Sequence, residues 1–252
     1  MMQRLKYKAW LALLLGLLLW GCPQQQHPSS PPLPLEQDSL IQTVRTEIEK
    51  KREALEFRQK QLPRRVLQKI ERYYPIIRKY AKRYGLDWRL IVAQILKESR
   101  FRENARSNKG AIGLMQIMPY TAREITRELD IEYIQQDPRE NIAAGIYHLY
   151  KQLRYFPDAK PAHRIKLALA AYNCGPGHVF DAQAIARYLG MDPNTWPAVR
   201  ATLPRLTSKD WQLHLDVWEL GVPRYGYFYG YKQTIDYVDD ISRTYAYLKR
   251  IF

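Results

Sequence analysis

The strongest constraint on this fold is a carboxylic acid that lies on an apolar helical stripe. In residues 91–116, Ile91, Ile95 and Glu98 fall on one side of a helix, because each residue turns the chain by about 100°. A carboxylate on such a stripe must be paired, neutralised or placed at a cleft. Burial would disfavour its charged form and raise its pKa, as a general acid near neutral pH requires. The competing interpretation is an acid that reaches solvent at a fraying helix end.

Asp87 indicates where this helix starts, because an aspartate side chain can accept hydrogen bonds from the N–H groups of a first turn. The predicted helix covers residues 88–99, so Glu98 falls in its last turn. The helical carbonyl dipoles disfavour an anion there, which is a second and smaller reason for a raised pKa.

Several motifs around and after Glu98 resemble one known family. They are Glu98-Ser99, Ser107, Gly110-Ala111, Gly113-Leu114-Met115-Gln116, residues 141–145, Ala171-Tyr172-Asn173 and Tyr237-Val238. In this order they resemble the lytic transglycosylases that have the goose-lysozyme-like fold, over residues 73–248. Residues 167–186 and 192–206 resemble in particular the catalytic module of the membrane-bound lytic transglycosylase F subfamily. Motifs that follow a family's order are more specific than one short pattern.

The resemblance implies an all-α, lysozyme-like domain with a central buried helix and a substrate groove. Residues 164–173 are apolar nearly all round, which is typical of a buried helix, and Asp137-Pro138 forms a strong helix start. Pro75 predicts a break or restart in the helix over residues 64–84. The alternating aromatic residues 224–231 could form a wall of the groove, a short strand or a packed loop.

The resemblance also implies the residues of the site. Glu98 corresponds to the catalytic acid, and Tyr237 could hydrogen-bond it across the groove. The family's substrate-binding positions correspond to Ser107, Met115, Gln116, Tyr172, Asn173 and Tyr237. Taken without the resemblance, Ser107 is a turn-capping hydroxyl, Met115 a core residue and Tyr172 a packing residue.

The implied reaction is a non-hydrolytic cleavage of peptidoglycan. It breaks the β-1,4 bond between N-acetylmuramic acid and N-acetylglucosamine and leaves a 1,6-anhydro end. Most glycosidases use two carboxylates, whereas only Glu98 belongs to a motif here. Two alternatives stay open: a goose-type muramidase that hydrolyses the same bond, and a non-catalytic peptidoglycan-binding envelope lipoprotein.

The N-terminal residues predict export and a membrane anchor. Residues 1–22 combine a basic start with an apolar core at 9–20 that is too short to span a bilayer comfortably. Residues 19–22 resemble a lipoprotein processing site with Cys22 as the acylated residue, which implies a periplasmic protein held at the outer membrane. Simple cleavage and an uncleaved anchor are the alternatives. Without acylation, Cys22 and Cys174 could pair in an oxidising compartment.

Three further segments follow this signal. Residues 23–37 are rich in proline, glutamine and serine, so they predict an extended tether. Residues 38–62 predict a charged helix whose narrow stripe packs on the domain or on a partner, and its residues recur every seven positions at Ile41, Ile48, Leu55 and Leu62. Residues 63–252 form the predicted catalytic domain. The short sequence before it predicts that the additional domains of larger family members are absent.

The charge of the chain favours an anionic partner. Its 40 basic and 25 acidic residues give a net charge of +15. Peptidoglycan is such a polymer, since its stem peptides carry carboxylates. The sequence shows no nucleic-acid-binding motif, no metal-ligand spacing among its five histidines and no phosphate-binding glycine loop. We therefore expect glycan strands as the substrate, and neither nucleic acid, metal nor cofactor.

Overall fold

The computed structural model describes residues 34–252, with side chains from residue 39 onward except at position 61. The predicted export signal with Cys22 and residues 23–33 of the predicted tether lie outside the described residues. Residues 34–37 of that tether belong to the first helix, so the extended conformation predicted for them is wrong. The helices are α1 (Pro34–Gln61), α2 (Arg64–Arg83), α3 (Trp88–Glu98), α4 (Pro119–Leu129), α5 (Pro138–Arg154), α6 (Pro161–Cys174), α7 (Pro176–Tyr188), α8 (Trp196–Thr202), α9 (Trp211–Val217) and α10 (Tyr231–Ile251). Two 3-10 segments cover Leu203–Leu206 and Ser208–Asp210. Within this part of the chain no strand is found, so the predicted all-α fold is confirmed.

The chain consists of two units, one that ends at Ile48 and one that covers residues 49–252. The boundary lies inside α1, so the second unit contains the end of that helix together with the whole predicted catalytic domain. Two residues of the predicted stripe lie in the second unit: Leu62, which directly follows α1, is buried, whereas Leu55 within α1 is exposed. No helix in residues 34–252 combines the length and the hydropathy needed to cross a bilayer.

Helix α6 is the central helix of the second unit, as the apolar pattern predicts. Residues 167–171 are all buried, and α6 packs against α5, α7, α8 and α10. Alternation of leucine with alanine lets neighbours approach it from all sides, and each buried leucine contributes about 2 kcal/mol of transfer free energy. The helix starts at Pro161, earlier than predicted, because proline fits the first helical position, and Gly175 follows its last residue with a φ of 86°.

Helix α3 carries the predicted acid. The Asp87 side chain caps it by accepting from the Arg89 N–H at 2.9 Å, as predicted. Residues 90–95 are all buried, and the helix packs mainly on α10 and α2. Glu98 is its last residue. The rigid packing of α3 therefore fixes where the carboxyl group stands.

The predicted break at Pro75 is wrong, because α2 runs through it. Proline removes the hydrogen bond to the carbonyl of Glu71, but Glu71 is exposed, so water can hydrate that carbonyl. On the opposite face, Tyr73 and Ile77 on either side of the proline are buried. Packing of this face against α3 and α5 holds the two halves in one helix.

The aromatic residues 224–230 form an irregular loop before α10 rather than a strand. The N–H of Phe228 donates to the carbonyl of Leu206 at 2.9 Å. The buried carboxylate of Asp181 accepts from the Tyr225 N–H at 2.9 Å. Tyr225, Tyr227 and Tyr229 are exposed. This loop is therefore anchored at its backbone and by Phe228, whose ring stacks on His178, while its three tyrosines remain exposed.

Candidate active site

Glu98 stands at the C-terminal end of α3 and remains partly exposed. Burial raises the pKa of Glu98 to about 7, and the hydrogen bond from Tyr237 and the charge of Lys97 oppose this rise. The acid is thus divided between its neutral and charged forms near neutral pH. That state suits a group that must first give and then take a proton.

Tyr237 of α10 holds the acid from across the site. Its hydroxyl donates to Glu98 Oε1 at 2.5 Å, so the expected contact is present. The same hydroxyl accepts from Gln94 Nε2 at 3.2 Å. Burial and the Glu98 charge raise the pKa of Tyr237 well above its usual value, so the hydroxyl keeps its proton. Glu98 Oε1 is therefore occupied, which leaves Oε2 for a reacting group.

Tyr172 lies at the end of α6 on the same side of the site. Its hydroxyl donates to the Met115 carbonyl at 2.8 Å. Its ring packs edge-on with the His148 ring, and the two ring centroids lie 4.8 Å apart. Burial and the Glu98 charge raise the pKa of Tyr172 well above its usual value. Burial also lowers the pKa of His148 to about 4, so this imidazole is neutral at physiological pH. The histidine packed against Tyr172 thus adds no positive charge beside it.

Met115 forms the packed floor below these groups. The residue has no exposed area, and a Cβ on Gly145 of α5 would lie 2.5 Å from the Met115 Cβ. Its carbonyl receives the Tyr172 hydroxyl, and its N–H donates to Asn141 Oδ1 at 2.8 Å. In this conformation the Met115 side chain is therefore a core residue, as in the interpretation made without the resemblance. Its backbone positions Tyr172.

Gln116 follows in a left-handed backbone conformation with a φ of 48°. Its Nε2 donates to the carbonyls of Ala105 and Gly113 at 3.1 and 2.9 Å. A residue other than glycine is held in this region only when its surroundings determine it strongly. Since the side-chain NH₂ group is used within the loop, the side-chain oxygen Oε1 of Gln116 is the group available to a sugar hydroxyl.

Ser107 and Asn173 have different surroundings. Ser107 is exposed and its Oγ accepts from the Ala111 N–H at 2.9 Å, which is the turn-capping role. The hydroxyl proton can still be donated to a ligand. Asn173 accepts from the buried Thr234 hydroxyl through Oδ1 at 2.8 Å, so its NH₂ group points away from that bond.

Two residues that support the site were not recognised as such from the sequence. Gln94 is fully buried one turn before Glu98, and its Oε1 has no hydrogen-bond partner within the described residues. Its spacing of four residues from the acid was the available signal, since such residues share a helix face. Asn141 was noted only within a motif, yet it binds three backbone groups of other segments, the carbonyls of Ile112 and Ile134 and the N–H of Met115.

Within the part of the chain that the structure describes, Glu98 has no second carboxylate acting on its pKa. The side chains that shift this pKa are Tyr237 and Lys97. Cys174 is half-buried, and burial raises the pKa of its thiol to about 12, so it is not a nucleophile at neutral pH. No group of three potential metal ligands is found in the part of the chain that the structure describes. The chemistry of the site therefore centres on a proton held by Glu98.

The chain is similar to known proteins over this region. Residues 75–192 match the family described as the transglycosylase SLT domain. The membrane-bound lytic murein transglycosylase F of Desulfosudis oleivorans is 37% identical over 194 residues, which cover 76% of this chain and 39% of that protein. The protein of the same name from Shewanella pealeana is 35% identical over 178 residues, 70% of this chain and 34% of its own length.

Among solved structures, the 70 kDa soluble lytic transglycosylase of Escherichia coli aligns with 71% of this chain and 24% of its own, with 23% identity and a TM-score of 0.49. The chain spans only about a third of the length of the two curated relatives named above. The family assignment rests on the matched domain and on those relatives. Residues 75–192 are therefore a transglycosylase SLT domain.

Proposed function

We propose that the chain is a peptidoglycan lytic transglycosylase that cleaves the bond between N-acetylmuramic acid and N-acetylglucosamine and leaves a 1,6-anhydro end. The observation that carries this proposal is Glu98, a single acid whose pKa is raised to about 7 by burial and whose Oε1 is held by Tyr237. The family of the matched domain and the names of the curated relatives support the same reaction.

In the first step, neutral Glu98 gives its proton to the glycosidic oxygen as the bond to C1 of N-acetylmuramic acid breaks. The acetamido group of the same sugar stabilises the positive charge at C1. In the second step, the Glu98 carboxylate takes the proton of the C6 hydroxyl, whose oxygen bonds to C1. Both steps use one residue, and such acid–base work contributes roughly 100- to 10,000-fold to the rate.

The surrounding residues have proposed roles in binding. Hydrogen bonds to sugar come from the carbonyl oxygen of Gln116, the NH₂ group of Asn173 and the Ser107 hydroxyl. Tyr172 and Tyr237 orient the acid and the sugar beside it. Met115 supports them from below, because it is fully buried.

The test is muropeptide analysis of digested sacculi with the wild type and Glu98→Gln. We expect anhydro-muropeptides from the wild type and a loss of at least about 100-fold in Glu98→Gln, with glycan binding retained. Near-wild-type release by Glu98→Gln contradicts the proposal. Products that are heavier by one water and carry a reducing end identify a muramidase. Sacculi that do not lose turbidity identify a non-catalytic binding protein.

We also propose that Cys22 carries lipid and that the tether of residues 23–33 together with α1 holds the catalytic domain of residues 63–252 at the periplasmic face of the outer membrane. The basic start and short apolar core of the sequence support this, as do relatives that are named membrane-bound. Labelling with a palmitate analogue tests it. The label should be lost in Cys22→Ser and kept in Cys174→Ser, and an unlabelled wild type refutes lipidation.

A further inference from the structure

The outer face of α2 carries positive charge almost alone. The helix contains eight basic residues and one acid, Glu71. At about 100° per residue, all eight basic positions fall within roughly half of the helix circumference, opposite the buried side. We call this surface the cationic face; it comprises Arg64, Arg65, Lys69, Arg72, Arg78, Lys79, Lys82 and Arg83. A helix of this length carries the charge along about 30 Å.

Most of this charge is not neutralised within the protein. Glu103 pairs with Lys69 at 3.3 Å and with Arg72 at 3.8 Å. Among residues 39–252, the other six members of the cationic face form no ion pair. Two pairs of these six residues are spaced four positions apart, Arg78 with Lys82 and Lys79 with Arg83, which destabilises an isolated helix by about 0.2–0.5 kcal/mol for each pair. A solvated helix face usually mixes the two signs, so this pattern favours an anionic partner.

A hollow at the N-terminal end of α2 adds a concave site to this surface. It has a volume of about 530 Å³. Its cationic rim consists of Lys60, Arg65, Lys69, Arg100 and Arg102, and Lys60, Arg65 and Arg100 form no ion pair within the described residues. Val66, Leu96 and Phe101 line its base. A site with a cationic rim and an apolar base suits an anionic head group attached to hydrocarbon.

We propose that the cationic face of α2 and this hollow dock on a bilayer that contains anionic phospholipid. A convex row of cations fits a flat polyanionic surface, and each Lys or Arg close to such a surface contributes about fivefold to binding. Tyrosine rings that could stack on sugars face solvent on the loop of residues 224–230 instead. The lipid surface is thus the better match for α2 than the glycan.

The proposal has a consequence for the active site. Leu96 lines the hollow, whereas Glu98 contacts Tyr237, and these positions point roughly 200° apart around α3. A bilayer bound at α2 therefore leaves Glu98 facing away from the membrane, toward the space where the cell wall lies. Docking would orient the enzyme without occupying its groove.

The test uses the full chain and two kinds of vesicle, phosphatidylcholine alone and phosphatidylcholine mixed with phosphatidylglycerol. The readout is the ratio of the two partition coefficients, because the apolar N-terminal segment contributes to both. The wild type should favour the anionic vesicles, and salt should remove this preference. The variant that tests the face carries Arg65→Gln, Lys79→Gln, Lys82→Gln and Arg83→Gln. Its ratio should fall by up to about 600-fold, since four charges are lost.

A matched control removes the same charge from exposed positions on other segments, with Arg127→Gln, Lys160→Gln, Arg187→Gln and Lys209→Gln. Its ratio should fall by less than about tenfold. Equal losses in both variants, or a wild type without preference for anionic vesicles, overturn the proposal. The proposal is also overturned if the α2 variant keeps vesicle binding but loses retention on sacculi, because the cationic face would then bind the cell wall and not the membrane. Activity on soluble glycan fragments should be unchanged in the α2 variant, so this test is independent of Glu98.

Discussion

At the scale of single residues, the contact between Tyr237 and Glu98 sets the pH range of the acid. Tyr237→Phe removes a hydrogen bond that lowers the Glu98 pKa, while burial still raises it. A hydrogen bond to a charged group contributes about 1.5–3 kcal/mol, so the pKa of Glu98 should rise by about one unit or more from its value of about 7. The acid is active when neutral, and its activity is lost as pH rises through this pKa. The alkaline limb of kcat/KM should therefore move upward.

The measurement is the pH profile of glycan cleavage by the wild type and Tyr237→Phe. Tyr245→Phe on the same helix is the control, because it removes a 2.9 Å hydrogen bond to Asp87 instead. Its alkaline limb should stay in place. An unmoved limb in Tyr237→Phe shows that the tyrosine does not act on the acid.

Gln94 is a positioning residue behind Tyr237. Because its Nε2 donates to the tyrosine oxygen, the tyrosine proton is directed to Glu98. Gln94→Leu removes this constraint and also removes a buried Oε1 that has no partner among the described residues. We expect kcat to fall about fivefold with KM unchanged, while the free energy of unfolding stays equal or rises. Kinetics and urea unfolding of the same preparation check this, and a loss of stability without a loss of kcat would assign Gln94 to the core alone.

At the scale of elements, α5 fixes the loop between α3 and α4 by a close approach at Gly145. Gly145→Ala would normally favour a helix by about 1 kcal/mol, but the new Cβ would lie 2.5 Å from the Met115 Cβ. Such overpacking destabilises a core by about 1–3 kcal/mol, and displacement of Met115 also disturbs the carbonyl that receives Tyr172. We expect both stability and kcat to fall.

A double-mutant cycle with Met115→Ala checks the cause, by urea unfolding. Met115→Ala alone leaves a cavity and should cost about 2–5 kcal/mol. The combined variant should be more stable than the sum of the two single effects, because alanine lacks the Met115 Sδ and Cγ atoms that would lie 2.7 and 2.9 Å from the new Cβ. The rescue should be partial, since alanine keeps the Cβ at 2.5 Å. Additive losses would show that the thioether chain of Met115 beyond Cβ is not what excludes a methyl group at position 145.

The sequence predicted those elements that depend on neighbours along the chain. Asp87 and Asp137-Pro138 begin helices α3 and α5 because capping is local, and the apolar alternation of α6 shows its burial. The continuity of α2 through Pro75 was not predictable, since packing by α3 and α5 decides it. The same holds for the contact of Gln94 with Tyr237, 143 positions apart, and for the three backbone contacts of Asn141. Side chains that meet across helices are set by tertiary packing.

At the scale of the whole molecule, the fold shifts the pKa values of two glutamates, Glu103 and Glu98, in opposite directions. Glu103 accepts from Tyr73 and Lys69, and although burial raises its pKa, these hydrogen bonds and the nearby cations lower it overall. Ionised Glu103 therefore stabilises the folded chain above its unfolded pKa. Glu98 does the reverse, because burial raises its pKa from 4.5 to about 7. The folded chain thus binds more protons than the unfolded chain between these two values, and Glu98 lowers stability as pH rises through that window.

Glu98→Gln should consequently be more stable than the wild type at pH 8, by up to about 3 kcal/mol, and nearly equal to it at pH 4. Urea unfolding at the two pH values measures the difference, and it also shows that the variant is folded when its activity is lost. Glu103→Gln is the control of opposite sign and should lose about 1 kcal/mol at pH 8, because Lys69 and Arg72 lose their partner. If Glu98→Gln is no more stable than the wild type at pH 8, the carboxyl is well hydrated in the folded chain. A hydrated carboxyl would have an ordinary pKa, and it could not supply the proton that the proposed cleavage requires at neutral pH.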